Sequence, residues 1–299
     1  MTRSTTRFLL CAVGLLLGAA FPAGAQKDKY EGIRWVSTFD AAMKEGRDRG
    51  CPVLAVLTSN SAHDQVTGVM LDDKSVIRES EDLVCVVGHN DYRPKEKPKK
   101  GEDQNEMICP HYGTVKIKEL VANYGVMSAR FVRQSAVQGV VLPQHIYIDP
   151  VNDEELFRRL GGLTRREMSY DIARALKLVG KGLPVRIAGP MREKLDEAAE
   201  LIKKGQFERA SEFLDEFRGF KTRYEKRVNS ALFKDGDDLI VELESKGQDL
   251  IREARTLADG GDFDRAKQLL ERVQKEFRPF EISDRARKAL SEIRRKEAG

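Results

Sequence analysis

The sequence predicts two parts of different fold class: an α/β domain with a central mixed sheet flanked by helices, followed by an all-α domain of helical hairpins. Up to about residue 180, short apolar runs rich in β-branched residues alternate with helical stretches. From residue 190 onward, apolar positions recur almost throughout at helical spacing. Breaker residues in Gly180–Pro184 and Gly189–Pro190 indicate the boundary. We therefore assign residues 26–182 to the first domain and 190–299 to the second.

The first 25 residues are typical of a cleavable export signal. Arg3 and Arg7 precede an uncharged apolar run over residues 8–20, and small residues at 23–25 suit a signal peptidase. The run is shorter than the roughly 20 apolar residues that cross a bilayer. We expect cleavage before Gln26, a periplasmic or extracellular location, and a mature chain without a membrane span.

Charge and composition favour a folded protein that does not bind nucleic acid. The 299 residues carry a formal net charge of +4, and removal of Arg3 and Arg7 lowers it by two. Basic and acidic residues are interspersed, which differs from the clustered basic surface of nucleic-acid-binding proteins. Apolar residues make up 40% of the chain, enough for a buried core.

Helices and strands alternate in the first domain. Phe39 to Arg49 places apolar residues on one face, with Ser37 or Thr38 available as the N-cap. Residues 52–58 form a continuous apolar run typical of a buried strand. A helical stretch toward residue 78 and a second buried strand over residues 83–87 follow.

An insertion over about residues 90–139 interrupts this alternation. Its highly charged first stretch, Arg93 to Glu106, predicts a surface loop, and a helix is expected from Lys116 to Tyr124. Strands over residues 144–149 and 156–160 come next. A final helix runs from Thr164 to Leu178 and opens with the capping-box pattern Thr164-x-x-Glu167.

The start of the first domain resembles a known superfamily. The pattern is Trp35-x-x-Thr38-Phe39-x-x-Ala42, followed by Pro52 and an apolar strand. It is similar to the exported thioredoxin-like domains. The resemblance covers roughly residues 33 to 180.

Later residues extend the same resemblance. Leu142-Pro143-Gln144 before a strand is similar to the cis-proline loop of the family, and Gly161-Gly162 before the last helix is similar to its end. The resemblance implies a peptide-binding surface beside Pro143.

The redox motif of that family is absent. The family has a C-x-x-C at the helix start after the first central strand, where one thiol gains a low pKa. Counting from Pro52 places Ala62, His63, Asp64 and Gln65 at the four positions. His63 beside Asp64 suggests acid–base chemistry, but an acidic residue that favours the helix N-terminus is the simpler interpretation. His145, just after Pro143, is expected near the same surface.

Three cysteines remain in the mature chain, and no C-x-x-C is present. Cys85 lies between valines and is interpreted as a small buried hydrophobic residue. Cys109 is expected to be the most accessible thiol, and one bridge to Cys51 or Cys85 is open to an exported protein.

Cys109-x-His111 offers two metal ligands, and His89 or His63 offers a third. Zinc sites usually have four ligands with recognisable pairing, so this pattern is a weak metal signal. The alternative is a loop in which Cys109 and Tyr112 pack on the sheet edge.

The helical domain contains two similar turns of the form G-x-F-x-x-A. This pattern resembles tetratricopeptide-type helical hairpins, in which glycine takes the left-handed turn position and the other two residues pack between helices. The offset of 56 residues differs from the 34 of tandem arrays, so no regular superhelix is expected. The turn positions are Gly205, Phe207, Ala210, Gly261, Phe263 and Ala266.

The leading hypothesis is an exported, redox-inactive interaction module that binds a protein or peptide and needs no cofactor. Its mechanism is the docking of extended segments near Pro143, with the helical domain as a second recognition surface. Two alternatives stay open. One is a thiol–disulfide oxidoreductase that uses Cys109 in a non-standard way, and the other is a metal-binding protein that uses Cys109 and His111.

Overall fold

A five-stranded mixed sheet organises the first half of the chain. The computed structural model describes residues 32–59, 73–92, 103–109, 111–113, 115–131 and 141–298. The sheet order is β1-β3-β2-β4-β5; β3 is parallel to β1 and β2, whereas β4 is antiparallel to β2 and β5. The strands are β1 (Trp35–Val36), β2 (Val53–Thr58), β3 (Val84–His89), β4 (Gln144–Asp149) and β5 (Glu154–Leu160).

Helices cover both faces of this sheet because its central strands are apolar on both sides. Val53, Ala55 and Leu57 of β2 face one apolar cluster, which includes residues of α1 and α3. Leu54 and Val56 face the other cluster, which includes residues of α2 and α4. The helices among the described residues of this half are α1 (Phe39–Arg49), α2 (Lys74–Ser80), α3 (Ile117–Phe131) and α4 (Arg165–Val179). The expected mixed sheet with flanking helices is confirmed.

Local capping signals set several helix ends. The Thr38 side chain accepts a hydrogen bond from the Ala41 N–H at 3.2 Å, so Thr38 is the N-cap of α1. Gly50 ends that helix in the left-handed conformation with φ 67°. Thr164 and Glu167 form the predicted capping box at the start of α4.

The second half is helical, as expected. Gly205 at φ 69° and Gly261 at φ 86° provide the turns of two helical hairpins. Ala210 and Ala266 are fully buried after these turns, and the Phe207 ring lies 5.1 Å from that of Phe277. The helices are α5 (Val185–Lys203), α6 (Phe207–Tyr224), α7 (Ala231–Asp259), α8 (Phe263–Glu276) and α9 (Glu281–Ala298). Helix α7 is the first helix of the second hairpin, and its length of 29 residues contributes to the long offset between the two turns.

The start of the helical region differs from the expectation of residue 190. Helix α5 begins at Val185, and the Gly189–Pro190 pair lies inside it. Both residues are exposed. A proline there removes one intrahelical hydrogen bond, and the freed carbonyl belongs to the exposed Arg186, where water can donate to it. Only Gly180–Pro184 acts as a linker.

Polar contacts join the sheet to the helices. The fully buried Arg49 guanidinium donates to the Leu183 carbonyl at 3.0 Å and to the Leu83 carbonyl at 2.8 Å. Arg192 of α5 donates to Asp48 of α1 at 2.9 Å and to Asp235 of α7 at 2.7 Å. Residues 32–299 accordingly form a single unit.

No helix within the described ranges is long and apolar enough to cross a membrane.

Candidate functional site

The carboxyl ends of β2 and β3 meet the start of β4 at one end of the sheet. Thr58 is opposite His89 in the parallel pair, and Leu57 is opposite Gln144 in the antiparallel pair. The peptide bond between Leu142 and Pro143 is cis. The Pro143 carbonyl accepts a hydrogen bond from the Gly161 N–H at 2.8 Å. The predicted loop Leu142-Pro143-Gln144 therefore lies at this end of the sheet.

The four positions of the missing redox motif, Ala62, His63, Asp64 and Gln65, lie outside the described residues. The expected proximity of His63 to His145 falls outside them for the same reason.

All three cysteines of the expected mature chain are buried thiols. Cys51 and Cys109 have no exposed surface, and Cys85 is 1% exposed. Burial raises the pKa of Cys51 and of Cys85 to about 12, and it also raises the pKa of Cys109. A thiol with a pKa near 12 is about one part in 10⁵ thiolate at pH 7, too little for rapid disulfide exchange. The interpretation of Cys85 as a buried hydrophobic residue is confirmed.

The expectation that Cys109 is the most accessible thiol is wrong. Its segment folds back on itself, and the Cys109 N–H donates to the Val115 carbonyl at 2.8 Å. Tyr112 is also fully buried and packs edge-on against Trp35, with ring centres 5.5 Å apart. Because Trp35 belongs to the outer strand β1, the alternative interpretation, in which Cys109 and Tyr112 pack at the sheet edge, is confirmed.

Tyr92 lies among the candidate metal ligands of the insertion. Its ring centre is 5.2 Å from that of His89 and 6.3 Å from that of His111. Its side chain is hydrogen-bonded to Cys109, and burial together with this bond raises the pKa of Tyr92. Among the described residues, no three His, Cys, Asp or Glu side chains are placed to hold a metal ion. The metal alternative gains no support.

His145 belongs to a buried polar group that the sequence did not reveal. It is 2% exposed, and its Nδ1 has no hydrogen-bond partner among the residues that the structure describes. It is opposite Arg159 of β5, and that guanidinium forms bonds of 2.8 and 3.0 Å with the fully buried Asp171 of α4. Burial lowers the pKa of His145 to about 4, although the Asp171 charge opposes the shift. His145 is therefore neutral at pH 7.

One signal for this group was present in the sequence. Met168, Ile172 and Ala175 form the buried stripe of α4, and Asp171 lies within that stripe. A buried carboxylate on an apolar helix face predicts a cationic partner in contact with it. The spacing does not say which strand supplies it.

The geometry supports binding more than covalent chemistry. The sulfur atoms are buried, and the described histidines at this end of the sheet do not adjoin an accessible thiol. The accessible feature is the outer strand β5, which ends beside the Pro143 loop; Pro143 and Gln144 themselves are buried.

No family model and no curated protein matches the chain. A solved structure titled "DsbH Oxidoreductase" is similar to it, with 14% sequence identity and a TM-score of 0.32, over 49% of this chain and 86% of the other. At that score the similarity carries no functional argument.

Proposed function

We propose that this chain is an exported, redox-inactive thioredoxin-like protein whose sheet acts as a protein or peptide interaction module. The carrying observation is the position of the sulfur atoms. After the expected signal peptide, the sequence has cysteine only at positions 51, 85 and 109, and each thiol is buried. Disulfide exchange requires an accessible thiolate, so these buried thiols favour a binding function over redox catalysis.

Further features support the thioredoxin-like assignment. A cis-proline precedes β4, and Gly161 leads from β5 toward the final helix α4 of the sheet region. Both features agree with the resemblance of the sequence to that superfamily. The apolar run between Arg7 and residue 21, followed by small residues, supports export to the periplasm or beyond.

The helical region supplies a second recognition surface in this proposal. Its two hairpin turns resemble tetratricopeptide-type hairpins, which bind partners along grooves between helices. An open cavity of about 280 Å³ lies between α5 and α7. Leu195 and Leu239 line it together with Arg192, Ala199 and the acidic side chains of Asp196, Asp235, Asp238 and Glu242.

An insulin-reduction assay tests the redox half of the proposal. The mature chain, with dithiothreitol as reductant, is expected to leave the rate of insulin precipitation at the value for dithiothreitol alone. A Cys109→Ser variant, checked for folding by circular dichroism, serves as the matched control. A rate clearly above the background that the Cys109→Ser variant loses would show a working oxidoreductase and refute the proposal.

A further inference from the structure

Strand β5 has an open outer edge. It is the last strand in the sheet order, and no described residue pairs with its outer side. Pairing with β4 is regular from Phe157 to Leu160. The register then shifts and leaves Leu156 as a bulge, which interrupts the N-terminal half of the strand. The regular half ends beside the Pro143 loop.

Two residues of this half direct their backbone groups outward. The Gly161 N–H donates to the Pro143 carbonyl at 2.8 Å, so the backbone N–H of Gly161 faces the β4 side. Because antiparallel bonding alternates, Arg159 also bonds β4, whereas Arg158 and Leu160 point their N–H and C=O groups to the open side. Four backbone groups are therefore available to an added strand.

The side chains around this edge are cationic and apolar. The Arg174 guanidinium lies 4.1 Å from the Phe157 ring centre and has no carboxylate partner among the described residues. Arg158 is bonded to Glu155, and Arg159 is bonded to Asp171. Arg174 is therefore the cation that this edge leaves unpaired among the described residues. Two exposed apolar side chains flank it: Leu160, 51% exposed, and Tyr170, 64% exposed.

A second copy of the chain is a poor occupant. A two-fold axis between antiparallel edge strands passes through a residue paired with its own copy. Centring the axis on Arg158 or Arg159 opposes like charges, which is destabilising. Centring it on Phe157 places the bulge at Leu156 opposite Arg158. Centring it on Leu160 leaves little to pair, because the strand ends there and Gly161 turns away at φ 81°. Bulges and charged residues are the usual protection of a sheet edge against self-pairing.

We propose that the outer edge of β5, from Phe157 to Leu160, binds an extended segment of a partner protein that carries acidic residues next to an apolar one. The added strand bonds the outward groups of Arg158 and Leu160. Its carboxylates face Arg174, and its apolar side chain lies against Leu160. This inference rests on the proposed interaction function and specifies the class of its partner.

Fluorescence anisotropy with the full mature chain tests the inference. The probe is a short labelled peptide that repeats valine, aspartate and glutamate, and its lysine-substituted counterpart is the control. We expect the acidic peptide to bind about tenfold tighter or better than the lysine peptide. Leu160→Pro removes an outward N–H but no bond to β4, and it should weaken binding about tenfold. Leu160→Ala keeps the N–H and should bind within a few-fold of wild type.

Several results would overturn the inference. They are equal binding of the two peptides, equal binding by the two Leu160 variants, no binding of the acidic peptide, or a dimer in sedimentation that Leu160→Pro dissociates. If circular dichroism shows that Leu160→Pro is unfolded, Arg174→Glu, at an exposed site, replaces it as the test. We expect this variant to bind the acidic peptide several-fold more weakly than wild type. The insulin assay is independent. If the chain neither binds the acidic peptide nor reduces insulin, only this inference is refuted. If the chain reduces insulin, the proposed function is refuted.

Discussion

Acidification should destabilise the fold through His145. The pKa of this buried side chain is lowered from its usual 6.5 to about 4 by burial. Since the folded chain binds the proton less readily than the unfolded chain, stability is fully present above pH 6.5 and is lost as the pH falls toward 4. At about 1.4 kcal/mol per pKa unit, the loss is about 3 kcal/mol in total, of which about 2 kcal/mol is lost by pH 5.

Urea unfolding at several pH values measures this loss. Carboxylates also titrate in this range, so the comparison uses His145→Gln, a neutral side chain that cannot take up the proton. Between pH 7.5 and pH 5, wild type should lose about 2 kcal/mol more unfolding free energy than the variant. Parallel pH curves for the two proteins would refute the reasoning, because they would show that His145 titrates alike in the folded and unfolded chains.

Two further predictions concern packing and charge in the helical region. Gly236→Ala places a Cβ on the Phe217 ring and should cost about 2 kcal/mol of unfolding free energy, whereas Gly219→Ala, which meets nothing within 4 Å, should be neutral or slightly stabilising. Equal melting temperatures for these two variants would contradict the packing. Arg192→Ala leaves Asp48, whose side chain is 10% exposed, without its cation and should cost about 3 kcal/mol in urea unfolding. Arg192→Lys should recover part of the lost unfolding free energy. An Arg192→Ala variant as stable as wild type would count against the contact between α1 and α5.

Local signals predicted most of the sheet and its helices. Helix α1 is bounded as expected because the Thr38 cap, the apolar face and the left-handed Gly50 all agree. Strand β4 matches the apolar run at 144–149 for a similar reason: it is buried on both faces, and a proline marks its start. Where several independent local preferences coincide, the sequence alone was sufficient to predict the bounds of a helix or strand.

Burial that depends on distant partners was not predictable. Arg49 ends an amphipathic helix, where an arginine is ordinarily solvated, yet it is 1% exposed. Its guanidinium donates to the carbonyl oxygens of Leu183, Leu83 and Glu81. No helical or strand periodicity encodes a cage made from three remote carbonyls. Strand β1, only two residues long, is likewise too short for a periodic signal.

The candidate site divides in the same way. The loop at Pro143 was found because its proline precedes a strand within a recognisable pattern. The accessibility of Cys109 was misjudged because its charged neighbours suggested an open loop, whereas Tyr92, Tyr112 and Trp35 enclose it. The free edge of β5 required the strand order, which one sequence does not provide.

Sulfur accessibility in the folded chain is the most direct test of the central claim. The mature chain is treated with a chromogenic thiol reagent at about pH 8, first folded and then in denaturant. The burial of Cys51, Cys85 and Cys109 predicts no rapid reaction before unfolding and reaction of all three thiols afterwards. A thiol that reacts within seconds in the folded chain, and that Cys109→Ser removes, would contradict the account.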